Sequence, residues 1–176
     1  SAGSFGTSLQ KDFLLQSKKS DVGKGLCYGI AAQYLVVPVV TYPFIWIFDI
    51  DANRISEPAR ELSDKATSPI GVIAIILTVG LLAPFSEELF FRGLLYGSIR
   101  KRGDSARNQK LIVWTSVVIS SAIFSAIHFQ LLLFPALFVV GMIFALIYER
   151  SGRLAPAIWA HVGFNATTLF SLLVLD

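Results

Sequence analysis

Apolar residues in this chain come in long unbroken runs rather than in the alternating or three-four spacing of half-buried elements. The runs cover 25–48, 69–85, 111–134, 135–148 and 154–174, and the second continues as a helix to about residue 98. About 20 consecutive apolar residues cross the hydrocarbon core as a helix. Pro38 and Pro43 interrupt the first run, and the fourth is short for a span. Backbone polar groups in lipid must be satisfied internally. The expected fold is therefore all-α, a polytopic transmembrane helical bundle of about five spans. Residues 1–24 read as a polar tail whose apolar stretch is too short for a signal peptide. Residues 25–176 read as a single transmembrane domain. In the acidic 49–68 segment, Ile55, Ala59, Leu62 and Ala66 fall at helical spacing, which suits a helix lying on the membrane surface.

Composition supports this reading. Hydrophobic residues make up 54% of the 176 and charged residues 15%, against about 25% in a typical soluble domain. Such a chain cannot coat a water-facing globule, so an ordinary cytosolic enzyme and a disordered tail are both excluded. With one cysteine, Cys27, an internal disulfide and a Cys-rich metal site are excluded too. Basic residues give the orientation. Four lie before the first span, three in 49–68, five between 100 and 110, and two in the turn after the fourth span. Placing the N-terminus in the cytoplasm puts eleven of them inside and three outside. The expected localisation is a multi-pass integral membrane protein with a cytoplasmic N-terminus. Its surroundings are the lipid bilayer, and nothing in the charge pattern suggests nucleic acid.

A charge at bilayer depth costs roughly 2.5–3.5 kcal/mol on insertion scales, so ionisable residues there are functional candidates by default. The second span holds Glu87, Glu88 and Arg92, the third His128, and the fifth His161 and Asn165. Both histidines of the chain lie in membrane segments. Glu88 and Arg92 are four apart, in the favourable order for an ion pair on one helix face. Glu87 is rotated about 100° from Glu88, free to face a cavity while its neighbour is neutralised. His161 and Asn165 also share a face. Pro84 should kink or break the second helix ahead of the glutamates, with Ser86 a cap for the restarted segment. Taken singly, each has a structural reading: an internal ion pair, a helix–helix hydrogen bond, or interhelical packing, as for Gly141 and Ala145. Two carboxylates, two imidazoles and an amide on three spans together read as a hydrolytic site.

In order, Glu87-Glu88-Leu89-Phe90-Phe91-Arg92 reads EExxxR, Phe124 to His128 reads FxxxH, and His161 to Asn165 reads HxxxN. On successive apolar helices these motifs resemble the CAAX-protease and bacteriocin-processing (Abi) family of intramembrane endopeptidases. The prenyl-protein endopeptidase branch is similar. Ser151-Gly152-Arg153-Leu154, followed by Pro156 and Ile158, resembles the family's lead-in to its last motif. The resemblance covers about residues 70–170. It implies hydrolysis of a peptide bond in a membrane-associated, prenylated or leader peptide. By carry-over, Glu87 is the general base, His128 its partner on the attacking water, and His161 with Asn165 the oxyanion donors. Glu88 and Arg92 order the site.

Two other functions fit the sequence: a non-catalytic membrane subunit of the same fold that stabilises a partner protein, and a proton-coupled carrier. The absence of an internal repeat weakens the carrier. No cofactor is expected. If zinc were bound, Glu87, His128 and His161 would be its three ligands. The chain has no His-Glu-x-x-His helix, and His128 has no evident acceptor at helical spacing for its second ring nitrogen, as a ligand histidine requires. Depth along the helices, at about 1.5 Å per residue, puts His128 farther from the inner end of its span than Glu87 or His161.

Overall fold

A computed structural model describes residues 17–51, 53–64, 68–102 and 108–175. Among these residues every regular element is a helix. Five helices are long and apolar enough to cross a membrane: α1 (Lys19–Phe48), α3 (Pro69–Lys101), α4 (Gln109–Ala126), α5 (Phe134–Ser151) and α6 (Leu154–Val174). The short α2 (Asn53–Asp64) follows α1, in the segment read as an amphipathic surface helix. Ala66 lies outside the described residues.

The first helix starts at Lys19, six residues before the apolar run. Asp21 explains the extension. Its carboxylate accepts from the Lys18 backbone amide at 2.8 Å, closing the helix N-terminus, and from Arg153 Nη2 at 2.7 Å. Arg153 is the residue just before α6, so this pair fastens the start of α1 to the α5–α6 turn. Below it, α1 and α6 run in close contact along small residues. A Cβ on Gly29 would collide with the Ala160 carbonyl, and one on Gly163 would sit 2.7 Å from the Leu26 carbonyl. Lipid tails are as apolar as leucine, so close backbone approach of this kind is the main source of helix association in a membrane.

Proline does not break α3. The stretch Thr78–Leu82 widens to a π-turn, and the Ala83 amide donates to Thr78 O, five residues back. Pro84 then sits in the first turn of the resumed α-helix. A π-turn inside a helix is the usual accommodation for such an irregularity. Ser86 does not cap: its hydroxyl donates back to the Leu82 and Ala83 carbonyls at 2.9 and 3.0 Å. Helix α3 therefore runs on without a break through Glu87 and Glu88 to Arg92, which lies in a second π-helical stretch, Leu89–Tyr96.

The apolar run 111–134 is not one helix. Helix α4 ends at Ala126, and His128 lies in the turn that follows. There the His128 and Phe129 amides donate three residues back, to Ser125 O and Ala126 O. Phe129 takes a left-handed conformation, φ 53°, and Ser125 Oγ donates across the turn to Phe134 O at 2.7 Å. No glycine or proline lies between 127 and 133, so hydropathy gives no sign of this stop.

Candidate active site

Three helices bring the polar residues together between their apolar walls. Glu88 and Arg92 are fully buried. Arg92 Nη1 donates to Glu88 Oε1 at 2.8 Å, as the four-residue spacing predicts, and Nη2 donates to the Gly141 carbonyl of α5 at 2.9 Å. The guanidinium lies over aromatic rings, its Cζ 4.8 Å from the centre of Phe124 and 5.5 Å from that of Phe144. A desolvated guanidinium facing aromatic rings gains about 2 kcal/mol or more from each good contact. This offsets part of the cost of an Nε that has no hydrogen-bond acceptor. Gly141, read as packing alone, does both jobs. It lies tight against Ser121 and Phe124 of α4, and its carbonyl receives Arg92.

Both histidines turn the same way. His161 Nδ1 lies 2.9 Å from Glu88 Oε1, and His128 Nδ1 lies 2.7 Å from the Phe124 carbonyl oxygen. A carbonyl only accepts, so His128 Nδ1 carries the proton; the carboxylate assigns His161 the same tautomer. Each ring then presents Nε2 to Glu87, with Oε2 at 3.9 Å from His128 and 3.8 Å from His161. Glu87 Oε2 is buried and has no hydrogen-bond partner in the protein. His161 is sandwiched by Phe144, stacked at 5.1 Å, and Phe124, edge-on at 5.6 Å. Phe124 also packs on His128, with ring centres 4.8 Å apart. This ring thus braces Arg92 and both imidazoles. Its place four residues before His128 is the one sign of that role in the sequence.

The depth mismatch read from helical rise is removed by the end of α4. His128 sits past the helix, and its ring bends back to the Phe124 carbonyl one turn earlier. Asn165, one turn beyond His161 on α6, aims its amide elsewhere: Nδ2 donates to the Val79 carbonyl of α3 at 2.8 Å. Its second amide hydrogen is not used in that bond. Beside Glu87, a pocket of about 240 Å³ is lined by Ser86, Glu87, Phe90, Phe91 and Ile127. Its walls are mostly apolar, and Phe90 and Ile127 are partly exposed on the lipid-facing surface.

Zinc was the alternative use of these groups. Tetrahedral zinc with bonds of about 2.0–2.1 Å sets its ligand atoms roughly 3.3–3.4 Å apart. The observed Glu87–histidine separations of 3.8 and 3.9 Å are wider than that spacing, and among the described residues no group of three or more His, Cys, Asp or Glu is arranged to hold a metal ion. One ground for expecting no metal does fall. His128 has its second-nitrogen acceptor, the Phe124 backbone carbonyl.

The same stretch of chain, α3 through most of α6, is what known proteins share with this one. Residues 69–167 match the family model described as type II CAAX prenyl endopeptidase, Rce1-like. An uncharacterized 24.3 kDa protein of Escherichia coli is 37% identical over 101 residues, which is 56% of this chain and 43% of that protein. YdiL of Bacillus subtilis (strain 168), provisionally named a membrane peptidase, is 25% identical over 167 residues, 90% of this chain and 61% of YdiL. The membrane-embedded CAAX protease MroQ of Staphylococcus aureus (strain USA300) is 33% identical over 99 residues, 56% of this chain and 39% of MroQ. The chain thus spans about two fifths to three fifths of the length of these relatives. No solved structure gives a significant match. The family match covers more than half of the chain and includes every residue of the buried cluster. This integral membrane protein belongs to the type II CAAX prenyl endopeptidase, Rce1-like, family.

Proposed function

We propose that the protein is an intramembrane endopeptidase that hydrolyses a peptide bond of a membrane-associated substrate, a prenylated or leader peptide, through a water activated by Glu87. One observation carries this reading. Two acceptor nitrogens, His128 Nε2 and His161 Nε2, each face a third acceptor, Glu87 Oε2, at 3.9 and 3.8 Å. Such a set needs hydrogens between its members, and one water supplies two while gaining the several polar partners a buried water requires. The same separations are too wide for direct hydrogen bonds and suit a bridging molecule.

In the proposed step Glu87 takes a proton from the water, with His128 Nε2 as its second anchor. The water oxygen bonds to the substrate carbonyl carbon, whose electron pair moves onto the carbonyl oxygen. The second amide hydrogen of Asn165 donates to that oxyanion, and His161 Nε2 joins it once the proton taken from the water has passed to it through Glu87. The C–N bond then breaks, and that proton goes on to the leaving nitrogen. No metal takes part in this scheme. The apolar pocket beside Glu87 receives substrate from the bilayer. The N-terminus of α1 and the α5–α6 turn are at one end of the bundle, joined by Asp21 and Arg153, and we assign that end to the cytoplasm from its excess of basic residues.

The test is cleavage of a membrane-anchored peptide library by purified protein in lipid nanodiscs. Glu87→Gln should abolish cleavage while leaving expression and thermal midpoint unchanged. Retained cleavage in Glu87→Gln rejects the assignment. A stoichiometric protein partner that co-purifies with inactive wild type points instead to the non-catalytic subunit.

A further inference from the structure

We infer that Pro84 is a positioning residue for Asn165: by having no amide hydrogen, it leaves the Val79 carbonyl open to the Asn165 side chain. This rests on the proposed role of Asn165 at the oxyanion. In the π-turn the Ala83 amide donates to Thr78 O. The next amide in that register would be residue 84, and the next carbonyl is that of Val79. Proline has nothing to donate there. An unpaired carbonyl in an apolar helix bundle is costly, and the Asn165 Nδ2 amide supplies the donor at 2.8 Å. Pro84 itself is buried. The bond works in both directions. It satisfies α3 eight residues before Glu87, and it fixes the plane of the Asn165 amide. Fixing one hydrogen of a planar amide fixes the direction of the other. Along α6 the His161 ring is one turn away on the same face, the side on which the proposed role of Asn165 needs the second hydrogen. Pro84, Val79 and Asn165 thus form one relay from backbone chemistry to donor alignment.

Pro84→Ala restores an amide at position 84 that competes for the Val79 carbonyl. Two measurements on Pro84→Ala, Asn165→Ala and the double variant test the relay, using full-length protein in detergent or nanodiscs. The first is thermal unfolding. Asn165→Ala should lower the midpoint, because the Val79 carbonyl is orphaned, and adding Pro84→Ala should recover most of that loss. Purely additive midpoints overturn the inference. If Asn165→Ala does not accumulate, Asn165→Leu, close in size and without a donor, takes its place. The second is cleavage. Pro84→Ala alone should lower kcat by about tenfold to a hundredfold, the cost of a misplaced catalytic contact, with KM little changed. Wild-type kcat in Pro84→Ala overturns the inference. The thermal coupling does not depend on turnover. It therefore survives even if Glu87→Gln remains active and the proteolytic reading falls.

Discussion

Glu88 Oε1 accepts from His161 Nδ1 at 2.9 Å while also receiving Arg92, so the adjacent glutamates address opposite ends of one imidazole. Glu88 holds the Nδ1 end, and Glu87 faces the Nε2 end. Sequence neighbours on a helix point about 100° apart. A ring laid against α3 from α6 can therefore touch both. The pair divides the ring between them: one carboxylate fixes its tautomer, and the other faces its remaining nitrogen.

The first prediction follows from that division. Glu88→Gln keeps the shape of the side chain but can turn an amide N–H toward His161 Nδ1, reversing the ring's tautomer. Cleavage should fall by at least about a hundredfold, towards the ~10⁴ that a wrong tautomer costs a serine protease. Side-chain NMR of ¹⁵N-histidine should show the change in protonated nitrogen. An unaltered tautomer with full activity would reject the assignment.

Arg92→Ala should act on stability first. It removes the partner of a fully buried carboxylate, a loss that costs about 3–5 kcal/mol in comparable buried pairs. A fall in yield and in thermal midpoint is expected, larger than for Glu87→Gln. If the double variant Glu88→Gln/Arg92→Ala were no more stable than Arg92→Ala alone, the uncompensated charge would not be the cause.

Packing of α1 on α6 makes a third prediction. Gly29→Ala places a methyl group into the Ala160 carbonyl, and overpacking of this kind costs about 1–3 kcal/mol. Gly23→Ala on the same helix meets nothing within 4 Å and serves as the control. Equal midpoints for the two variants would show that the helices separate more easily than the contact implies.

Metal dependence is checked directly. Purified active protein should contain substoichiometric zinc, and chelation should leave cleavage unchanged. Stoichiometric zinc whose removal stops cleavage and whose return restores it would replace the water-only scheme with a metal one.

Orientation is the fifth. In a Cys27→Ser background, cysteine at Asp51 should react with an impermeant label from outside intact cells, and cysteine at Lys101 should react only after lysis. Both positions are exposed. The reverse pattern would invert the bundle.

The bundle and the cluster were legible for one reason: lipid removes most of the ambiguity of a sequence. A charged or imidazole residue in an apolar run is conspicuous, and Glu88–Arg92 spacing alone gives a bond that exists. What stayed hidden was backbone behaviour. Hydropathy could not show that 111–134 stops at Ala126, because Ile127 to Phe134 is as apolar as the helix before it and the stop is made by Phe129 dihedrals and a Ser125 bond. Nor could it show that Pro84 is absorbed by a π-turn, or that carbonyls of Phe124, Val79 and Gly141 receive His128, Asn165 and Arg92. Carbonyls are present at every position and carry no letter in the sequence. Gly25 and Gly29 form a small-residue pair four apart, readable in principle as a close helix contact, within a run that two prolines interrupt.

The clasp between Asp21 and Arg153 joins residues 132 positions apart, and this sets an order of events during synthesis. Helix α1 enters the bilayer while α6 is still unmade, so its glycine face and its acidic side chain wait without their partners until the ribosome has delivered everything between. During that interval α1 has α5 to pack on, where Ala32 shares a cluster with Val140 and Phe144, but not its main partner. Arrival of α6 then supplies the shape and the counter-charge at once. His161 and Asn165 arrive on the same helix. A chain stalled before α6 therefore lacks at once the clasp on α1 and the two polar residues that α6 brings to the cluster.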